Sequence, residues 1–393
     1  MSDLSGNLDI GLRRDGDRLA VSIRSSRPVT AARVFVGKLV PDVTQRLPTL
    51  FSVCATAQAQ ACAVACEQAL GLTPSSAVQQ QRALLLRAET VKEHFWRLLL
   101  DWPQAVGATP AHAPMATAMG AYLALRGAQT KDTDPFTPGA DAPLSVPAPA
   151  TDQAQALAEV AAVHVFGMPP ARWLEQVGDR SALAAWMATA GTVAADLVSA
   201  VSRSDLASLG RNVVAPLPVL AMPDLTAALS GADADGFVAA PTWQGRPYET
   251  TPFARCRDRS LVADLATEHG NGLLPRLAAL LLELADALVG LTDPPQAPPL
   301  PELAPSYADG IGVGSADAAR GLLVHRVEVA DGRVTSYRIL APTEWNFHPD
   351  GVVAVGLADG DLARLADDAE LKRRAAFYVT AVDPCVAYAL SVC

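Results

Sequence analysis

The 393-residue sequence has few charged side chains, no excess of basic residues and no paired cysteine motif. Charged residues make up 18% of the chain and the formal net charge is −10. This balance argues against a nucleic-acid binder, which would present a basic face. The six cysteines are spread over the whole length without a CxxC pair, which excludes a small disulfide scaffold and weakens zinc-ribbon and thioredoxin-like interpretations. Half of the residues are hydrophobic, so the chain is too apolar to be disordered and can bury a large core.

The sequence also lacks a long uninterrupted apolar run, and we expect no signal peptide. Residues 1–7 have neither a basic nor an apolar region. The most apolar stretch, residues 273–291, is interrupted by Arg276, Glu283 and Asp286, and charges are costly near a membrane centre. We therefore expect a buried helix there, no membrane insertion, and a cytoplasmic protein with reduced thiols.

Two hairpins are predicted from alternating apolar and polar residues around turn signals. Residues 8–14 and 18–24 flank Asp15-Gly16, and a second pair of segments at 322–329 and 333–340 flanks Asp331-Gly332. The clearest amphipathic helix covers residues 79–102, and we expect Pro103 to end it. Other helices are expected within residues 31–39, 51–70, 153–165, 170–177, 181–202, 258–291 and 362–381. The expected fold class is therefore α+β, mostly α, with small β elements.

Three segments without periodicity are expected to be irregular. Residues 127–150 are rich in Pro, Thr, Asp and Ala and are predicted to form a long mobile loop. Residues 293–305 are predicted to be a proline-rich connector, and the glycine-rich residues 310–314 a flexible lead-in to the second hairpin.

The local sequence around Cys54 and Cys385 gives each of these thiols a feature that could make it functional. Cys54 precedes a predicted helix by a few residues, where exposed N–H groups and the helix dipole would favour a thiolate. Cys385 follows Asp-Pro in a constrained turn. Taken alone, each is as well explained as a buried, incidental cysteine, because a free cysteine behaves as a small hydrophobic residue.

The other four cysteines give weaker signals. Cys62 and Cys66 share a helix face and could bind metal, although packing in an Ala-rich helix is the simpler interpretation. Cys256 lies between two arginines that could lower the pKa of its thiol, but a surface thiol without function is the expectation. Cys393 is either a mobile thiol or an additional metal ligand, and both alternatives stay open. The six histidines form no metal motif, and the sequence has no Walker loop, dinucleotide fingerprint or nucleophile elbow.

Five ordered motifs resemble the large subunits of nickel–iron hydrogenases over nearly the whole chain. The most specific runs from Arg320-Gly321 to Pro342-Thr343-Glu344-Trp345-Asn346. The other four, in chain order, are Val53-Cys54-Ala55-Thr56-Ala57, Glu93-His94-Phe95-Trp96 with Asp101-Trp102, Gly245-Arg246-Pro247-Tyr248-Glu249 with Pro252-Phe253-Ala254-Arg255, and Asp383-Pro384-Cys385. The resemblance implies a large-subunit-like helical core and one continuous domain over residues 1–393.

The departures from that family bear on function. The family holds its metals with two CxxC pairs, whereas here Ala57 and Tyr388 stand at the second, bridging positions. The family's Arg-Gly-x-Glu appears as residues 27–30 without its glutamate, and Asp317 replaces another glutamate. Two thiolates cannot reproduce the bimetallic site, and the chain has no iron–sulfur ligand spacing, so hydrogenase activity is not expected.

This pattern resembles the HupK/HoxV family of hydrogenase accessory proteins. The resemblance implies a non-catalytic scaffold that receives an Fe(CN)2CO unit from a HypC-HypD type maturation complex. The scaffold would pass that unit to the precursor of a nickel–iron hydrogenase large subunit. Cys54 and Cys385 would ligate the iron, and no nickel is expected. Arg320 and Thr343 would donate hydrogen bonds to cyanide, and Asp383 would orient Arg320.

Simpler roles are also compatible with the same residues and with the chain as a whole. Arg320 could instead form a buried salt bridge between the second hairpin and the tail, and Thr343 could cap a turn. The alternative function is a cofactor-free degenerate large subunit that acts as a chaperone or decoy. A nickel-delivery role has little support from the scattered histidines.

Overall fold

The computed structural model describes residues 6–131, 134–141, 148–293, 310–358 and 360–392. Helices dominate, and two small sheets flank them, so the predicted mostly α fold with small β hairpins is confirmed. The helices are α1 (Val40–Leu50), α2 (Ala55–Leu70), α3 (Ser76–Trp96), α4 (Trp102–Ala105), α5 (His112–Thr130), α6 (Ala148–Ala161), α7 (Pro170–Gln176), α8 (Arg180–Thr189), α9 (Val193–Ser202), α10 (Met222–Ala228), α11 (Ala234–Ala239), α12 (Pro252–Cys256), α13 (Ser260–His269), α14 (Leu273–Thr292), α15 (Pro342–Asn346), α16 (Val352–Leu357), α17 (Gly360–Ala363) and α18 (Asp368–Val382).

The first sheet joins the two ends of the chain. The predicted N-terminal hairpin forms from β1 (Asn7–Asp15) and β2 (Arg18–Ser25), and Gly16 has the positive φ of 65° that its turn requires. The strand β6 (Ala387–Val392), which was not predicted, pairs in parallel with β1. This pairing holds the segment around Cys385 against the N-terminal hairpin.

The second sheet is an antiparallel meander of three strands rather than a single hairpin. Its strands are β3 (Ile311–Ala318), β4 (Gly321–Ala330) and β5 (Arg333–Leu340). The prediction of a flexible lead-in at residues 310–314 was wrong, because Gly312 and Gly314 belong to β3 and pack on α2. A Cβ at position 314 would lie 2.2 Å from the carbonyl oxygen of Ala61. These glycines therefore set how closely the sheet approaches α2.

The long helix after α2 continues past its predicted end. After α3, a π-helical turn at Arg97–Asp101 leads directly into α4. Pro103 lies in the first turn of α4 and does not end the helical segment. The carbonyl oxygen of Leu99, four residues earlier, accepts instead from the N–H of Ala111 at 2.7 Å, so it is not left without a donor.

Two further expectations fall partly outside the described residues. Within the predicted loop 127–150, α5 extends to Thr130 and α6 begins at Ala148, so its helical flanks were missed. Phe136 is buried between them, and residues 132–133 and 142–147 lie outside the described residues; that the loop is mobile stays a prediction. Residues 294–309, which include most of the predicted connector, also lie outside them.

The apolar stretch at residues 273–291 forms the buried helix α14, as expected. Its buried Arg276 is paired with Glu249 and stacked between the rings of Phe253 and Tyr378, at 5.3 and 5.4 Å from their centroids. Among the described residues, no single helix is both long and apolar enough to cross a membrane. Two segments, Val40–Leu50 and Ser52–Leu70, reach the length and apolar composition of a membrane span only when they are taken together, and a bend of 95° separates them.

Candidate two-thiol site

Cys54 and Cys385, 331 positions apart in the sequence, line one cleft. The cleft encloses about 780 Å³ of empty space including its open mouth, and its wall includes Arg27, Phe51, Cys54, Gln58, Glu344 and Cys385. We call it the two-thiol cleft. Cys54 is at the start of α2, and Cys385 is in the turn between α18 and β6. The structure therefore brings together the two thiols that the sequence singled out.

Cys54 is not the activated thiol that its place before α2 predicted. The carboxylate of Glu89 accepts the N–H groups of Thr56 and Ala57 at 2.8 and 3.0 Å, so these amides already have a partner. Burial raises the pKa of the Cys54 thiol to about 12, and the neighbouring Cys385 and Glu89 push it the same way, against the opposing charge of Arg320. The prediction failed because helix-end amides stabilise a thiolate only when they are free to face it.

Cys385 makes three hydrogen bonds, two with Thr343 and one with Arg27. The Thr343 hydroxyl donates to its Sγ at 2.9 Å and accepts from its backbone N–H at 3.1 Å. Arg27 donates to the same sulfur through Nη1. The turn-capping role weighed for Thr343 is not what the structure shows, because α15 has no side-chain cap and the hydroxyl is bonded to Cys385.

Arg320 and Asp383 form the ion pair expected between the second sheet and the C-terminal segment. Arg320 Nε lies 3.1 Å from Asp383 Oδ1, and Arg320 Nη2 donates to Glu93 at 2.9 Å. Arg97, from the π-helical turn, approaches the same Asp383 oxygen at 2.6 Å. Although burial acts to raise the pKa of Asp383, these two guanidinium groups lower it below its usual value. Glu93 and Arg97 were not predicted as partners of this ion pair.

Two nitrogens of Arg320, Nε and Nη1, have no hydrogen-bond partner within the described part of the chain, although Nε makes the ion-pair contact with Asp383. Nη1 is buried, and the residue as a whole is only 3% exposed. A buried donor without a partner costs free energy, so it marks a place where an acceptor would be favourable. The buried salt bridge and a ligand-binding role for Arg320 are thus compatible.

Arg27 and Glu344 were missed as site residues. Arg27 Nε contacts Glu344 Oε1 at 2.8 Å, and both side chains line the two-thiol cleft. Burial opposes the charge of Arg27, but the nearby Cys385 and Glu344 raise its pKa above the usual value. A signal was present for both: Glu344 lies inside the most specific of the five motifs, and Arg27 matches the first residue of the family's Arg-Gly-x-Glu segment in residues 27–30, which lacks the glutamate here.

The two positions without a cysteine carry no ligand toward the cleft. Ala57 is fully buried in α2. Tyr388 lies on β6, and its hydroxyl is bonded to Thr380 at 3.1 Å and to the carbonyl of Ala376 at 3.4 Å. Tyr388 therefore points to α18 instead of presenting a metal ligand.

Of the remaining cysteines, the three that the structure describes do not line the two-thiol cleft. Cys62 and Cys66 are buried in α2, and Cys393 lies outside the described residues. Cys256 is buried, not exposed as predicted, and burial raises the pKa of its thiol to about 12. The described residues contain no group of three or more His, Cys, Asp or Glu side chains that could hold a metal ion.

A second charged cluster lies beside the site. Glu283 of α14 accepts from Arg255 at 2.6 and 2.9 Å, and its Oε2 is 2.7 Å from His94 Nε2. Arg255 also donates to the carbonyl oxygens of Thr250 and Ala319, the latter adjacent to Arg320. This cluster ties α3, α12 and α14 to the loop that carries Arg320.

Comparison with known proteins identifies the family. The chain is 30% identical to the hydrogenase expression/formation protein HupK of Azotobacter vinelandii over 99% of both chains. It is 32% identical to the hydrogenase expression/formation protein HoxV of Cupriavidus necator, over 93% of this chain and 91% of that one. The chain belongs to the HupK/HoxV family of hydrogenase expression/formation proteins. The predicted family is thereby confirmed.

The link to hydrogenase large subunits is shown by sequence and by fold. Residues 297–390 match the nickel-dependent hydrogenase family. The structure resembles that of an NAD+-reducing [NiFe]-hydrogenase in the H2-reduced state, with a TM-score of 0.59, 14% identity, and coverage of 94% of this chain and 93% of that chain. The large-subunit-like fold expected for this HupK/HoxV family member is therefore confirmed. The family places the chain in an accessory role in hydrogenase formation.

Proposed function

We propose that this chain is a non-catalytic, cytoplasmic scaffold that binds an Fe(CN)2CO unit between Cys54 and Cys385. It receives the unit from a HypC-HypD type maturation complex and transfers it to the precursor of a nickel–iron hydrogenase large subunit. The observation that carries the proposal is the pair of thiols in one cleft, with Ala57 and Tyr388 at the two other positions. Thiolates are soft ligands that suit low-spin iron.

The surroundings of the thiols fit this cargo. Cyanide on iron accepts hydrogen bonds, and the unpartnered Nη1 of Arg320 is a buried donor that such a ligand would satisfy. Thr343 supplies a hydroxyl that rotates to donate to cyanide when Cys385 becomes a thiolate bound to iron. Asp383 keeps the Arg320 guanidinium in one orientation.

The two cysteine ligands are also compatible with release of the Fe(CN)2CO unit to its acceptor. A complete large-subunit site uses four thiolates and bridges iron to nickel through two of them; both bridging positions are lost here, so iron is not locked into a two-metal centre. The buried Cys54 must lose its proton to bind iron and regains it on release, so proton uptake favours transfer. The chain keeps the large-subunit fold that the maturation complex serves, while it lacks the ligands for the nickel-containing centre.

The test is anaerobic co-expression of the full chain with the maturation proteins, followed by infrared spectroscopy and metal analysis. We expect bands of metal-bound cyanide and carbon monoxide, about one iron per chain and no nickel. Cys54→Ala and Cys385→Ala should remove both bands and iron. Cys256→Ala, which removes a buried thiol outside the cleft, is the matched control and should keep them.

Other results of the same experiment would contradict the scaffold function or favour the alternative function. A native chain that carries neither iron nor bands contradicts the scaffold. If Cys54→Ala and Cys385→Ala still support hydrogenase maturation, the chain acts as a cofactor-free chaperone or decoy. Hydrogen uptake by the isolated chain would contradict its non-catalytic role.

A further inference from the structure

Three buried polar side chains form a continuous hydrogen-bonded row behind Cys54. Gln58, one turn further along α2, donates from Nε2 to Cys54 Sγ at 3.7 Å. Its Oε1 lies 2.8 Å from His325 Nε2 on β4. His325 Nδ1 lies 2.9 Å from the hydroxyl of Tyr337 on β5. We call Gln58, His325 and Tyr337 the α2–sheet row.

When Cys54 is a thiolate, the row has one consistent direction of hydrogen bonding. An amide oxygen only accepts, so the bond from Oε1 of Gln58 requires the hydrogen of the imidazole to be on Nε2 of His325. Nδ1 then accepts, and Tyr337 donates to it. The reverse direction, in which Oε1 of Gln58 accepts from a protonated Cys54 and Nδ1–H of His325 donates to Tyr337, needs the hydrogen of the Cys54 thiol. A thiolate at Cys54 only accepts, so iron binding selects the direction in which Gln58 donates to the sulfur, and the Nε2–H tautomer of His325 supports that orientation.

Packing fixes the imidazole itself. His325 is fully buried, and its ring meets the Tyr337 ring edge to face at a centroid distance of 5.7 Å. In β3, Gly314 is paired with His325 and lets the backbone of α2 approach the sheet closely. The row therefore spans a tight helix–sheet contact in which the ring has little freedom to turn.

We propose that His325 and Tyr337 are positioning residues that hold the Gln58 amide so that it donates a hydrogen bond to the Cys54 sulfur when that sulfur binds iron. This inference rests on the proposed function. A donor to a bound thiolate withdraws electron density from the sulfur and weakens its bond to iron. The row thus makes Cys54 a more readily exchanged ligand.

The first test reads the carbon monoxide stretch of the loaded chain. Without the donor, the thiolate gives more electron density to iron, and iron gives more to carbon monoxide, so the band moves to lower wavenumber. We expect this shift in Gln58→Leu and His325→Leu, and a smaller one in Tyr337→Phe, which keeps the ring. His325→Gln, which retains an N–H donor, should restore the native position. His348→Leu removes another buried histidine and should not shift the band.

The second test uses the metal-free chain and does not depend on iron binding. Hydrogen exchange of the Gln58 side-chain amide, assigned by its absence in Gln58→Leu, should be about fivefold or more faster in Tyr337→Phe, but native in His348→Leu. An unshifted band in iron-loaded Gln58→Leu, or native exchange in Tyr337→Phe, would overturn the inference. A native chain without any band, but with the expected exchange, would instead overturn the proposed function.

Discussion

Thr343 and Cys385 are bonded to each other in both directions, since the hydroxyl donates to Sγ at 2.9 Å and accepts from the Cys385 N–H at 3.1 Å. One short side chain therefore fixes both the thiol and the backbone that carries it. Because Thr343 is on α15 and Cys385 follows α18, the bond also joins two separate parts of the fold. A single substitution can test this relationship.

We expect Thr343→Val to destabilise the fold. Valine matches the shape of threonine but leaves the Cys385 N–H without its acceptor, which costs about 1–3 kcal/mol. Urea unfolding followed by circular dichroism measures the difference. Thr380→Val, which removes the hydroxyl that meets Tyr388 near the surface, is the matched control and should cost less. An equal decrease in the free energy of unfolding in both variants would show that the hydrogen bonds between Thr343 and Cys385 do not stabilise the fold more than a bond near the surface.

Asp383→Asn should strongly reduce the stability of the fold, although asparagine and aspartate have nearly the same shape. Asparagine also adopts the left-handed conformation seen at φ 64°, so the change removes the charge without adding backbone strain. Arg97 and Arg320 would then face a neutral side chain in a buried setting, and breaking a buried pair costs roughly 3–5 kcal/mol. Urea unfolding at pH 7 should register a loss of this order. A loss below about 1 kcal/mol would contradict it, because that is the range of an exposed pair.

Local sequence patterns predicted most helices and strands, and the motifs predicted that Cys54 and Cys385 belong to one site. Contacts between segments that are distant in the sequence could not be predicted in this way. The hairpin at Asp15-Gly16 follows from alternation and a turn signal, which are local. The strand β3 was missed because its Gly312 and Gly314 break the strand propensity, and their reason lies in α2. For the same reason the pKa of Cys54 was expected to move in the wrong direction, since Glu89 belongs to the next helix.

Glu283→Gln should reduce stability in a pH-dependent way. Burial acts to raise the pKa of Glu283, but Arg255 and His94 outweigh it and lower the pKa from 4.5 to about 2. The ionised group therefore stabilises the fold fully above about pH 4.5, and this contribution is lost as the pH falls toward 2. The shift corresponds to about 3 kcal/mol at pH 7.

Urea midpoints of the native chain and Glu283→Gln between pH 3 and 7 measure this dependence. The gap between the two proteins should be largest at pH 7 and narrow as the pH falls. Glu175→Gln, at an exposed carboxylate on α7, should show no such trend. A gap that is constant with pH would mean that the lost ion pair does not account for the effect.

Gly314→Ala should disturb the two-thiol cleft from a distance. The added Cβ would lie 2.2 Å from the carbonyl oxygen of Ala61, so α2 and β3 must move apart, and overpacking of this kind costs about 1–3 kcal/mol. Because α2 begins next to Cys54, the same movement should lower iron loading in the anaerobic preparation. Gly120→Ala, in open space on α5, should instead be neutral or stabilising by up to about 1 kcal/mol. If Gly314→Ala kept the stability and the iron content of the native chain, the backbones of β3 and α2 would not be in close contact at this position.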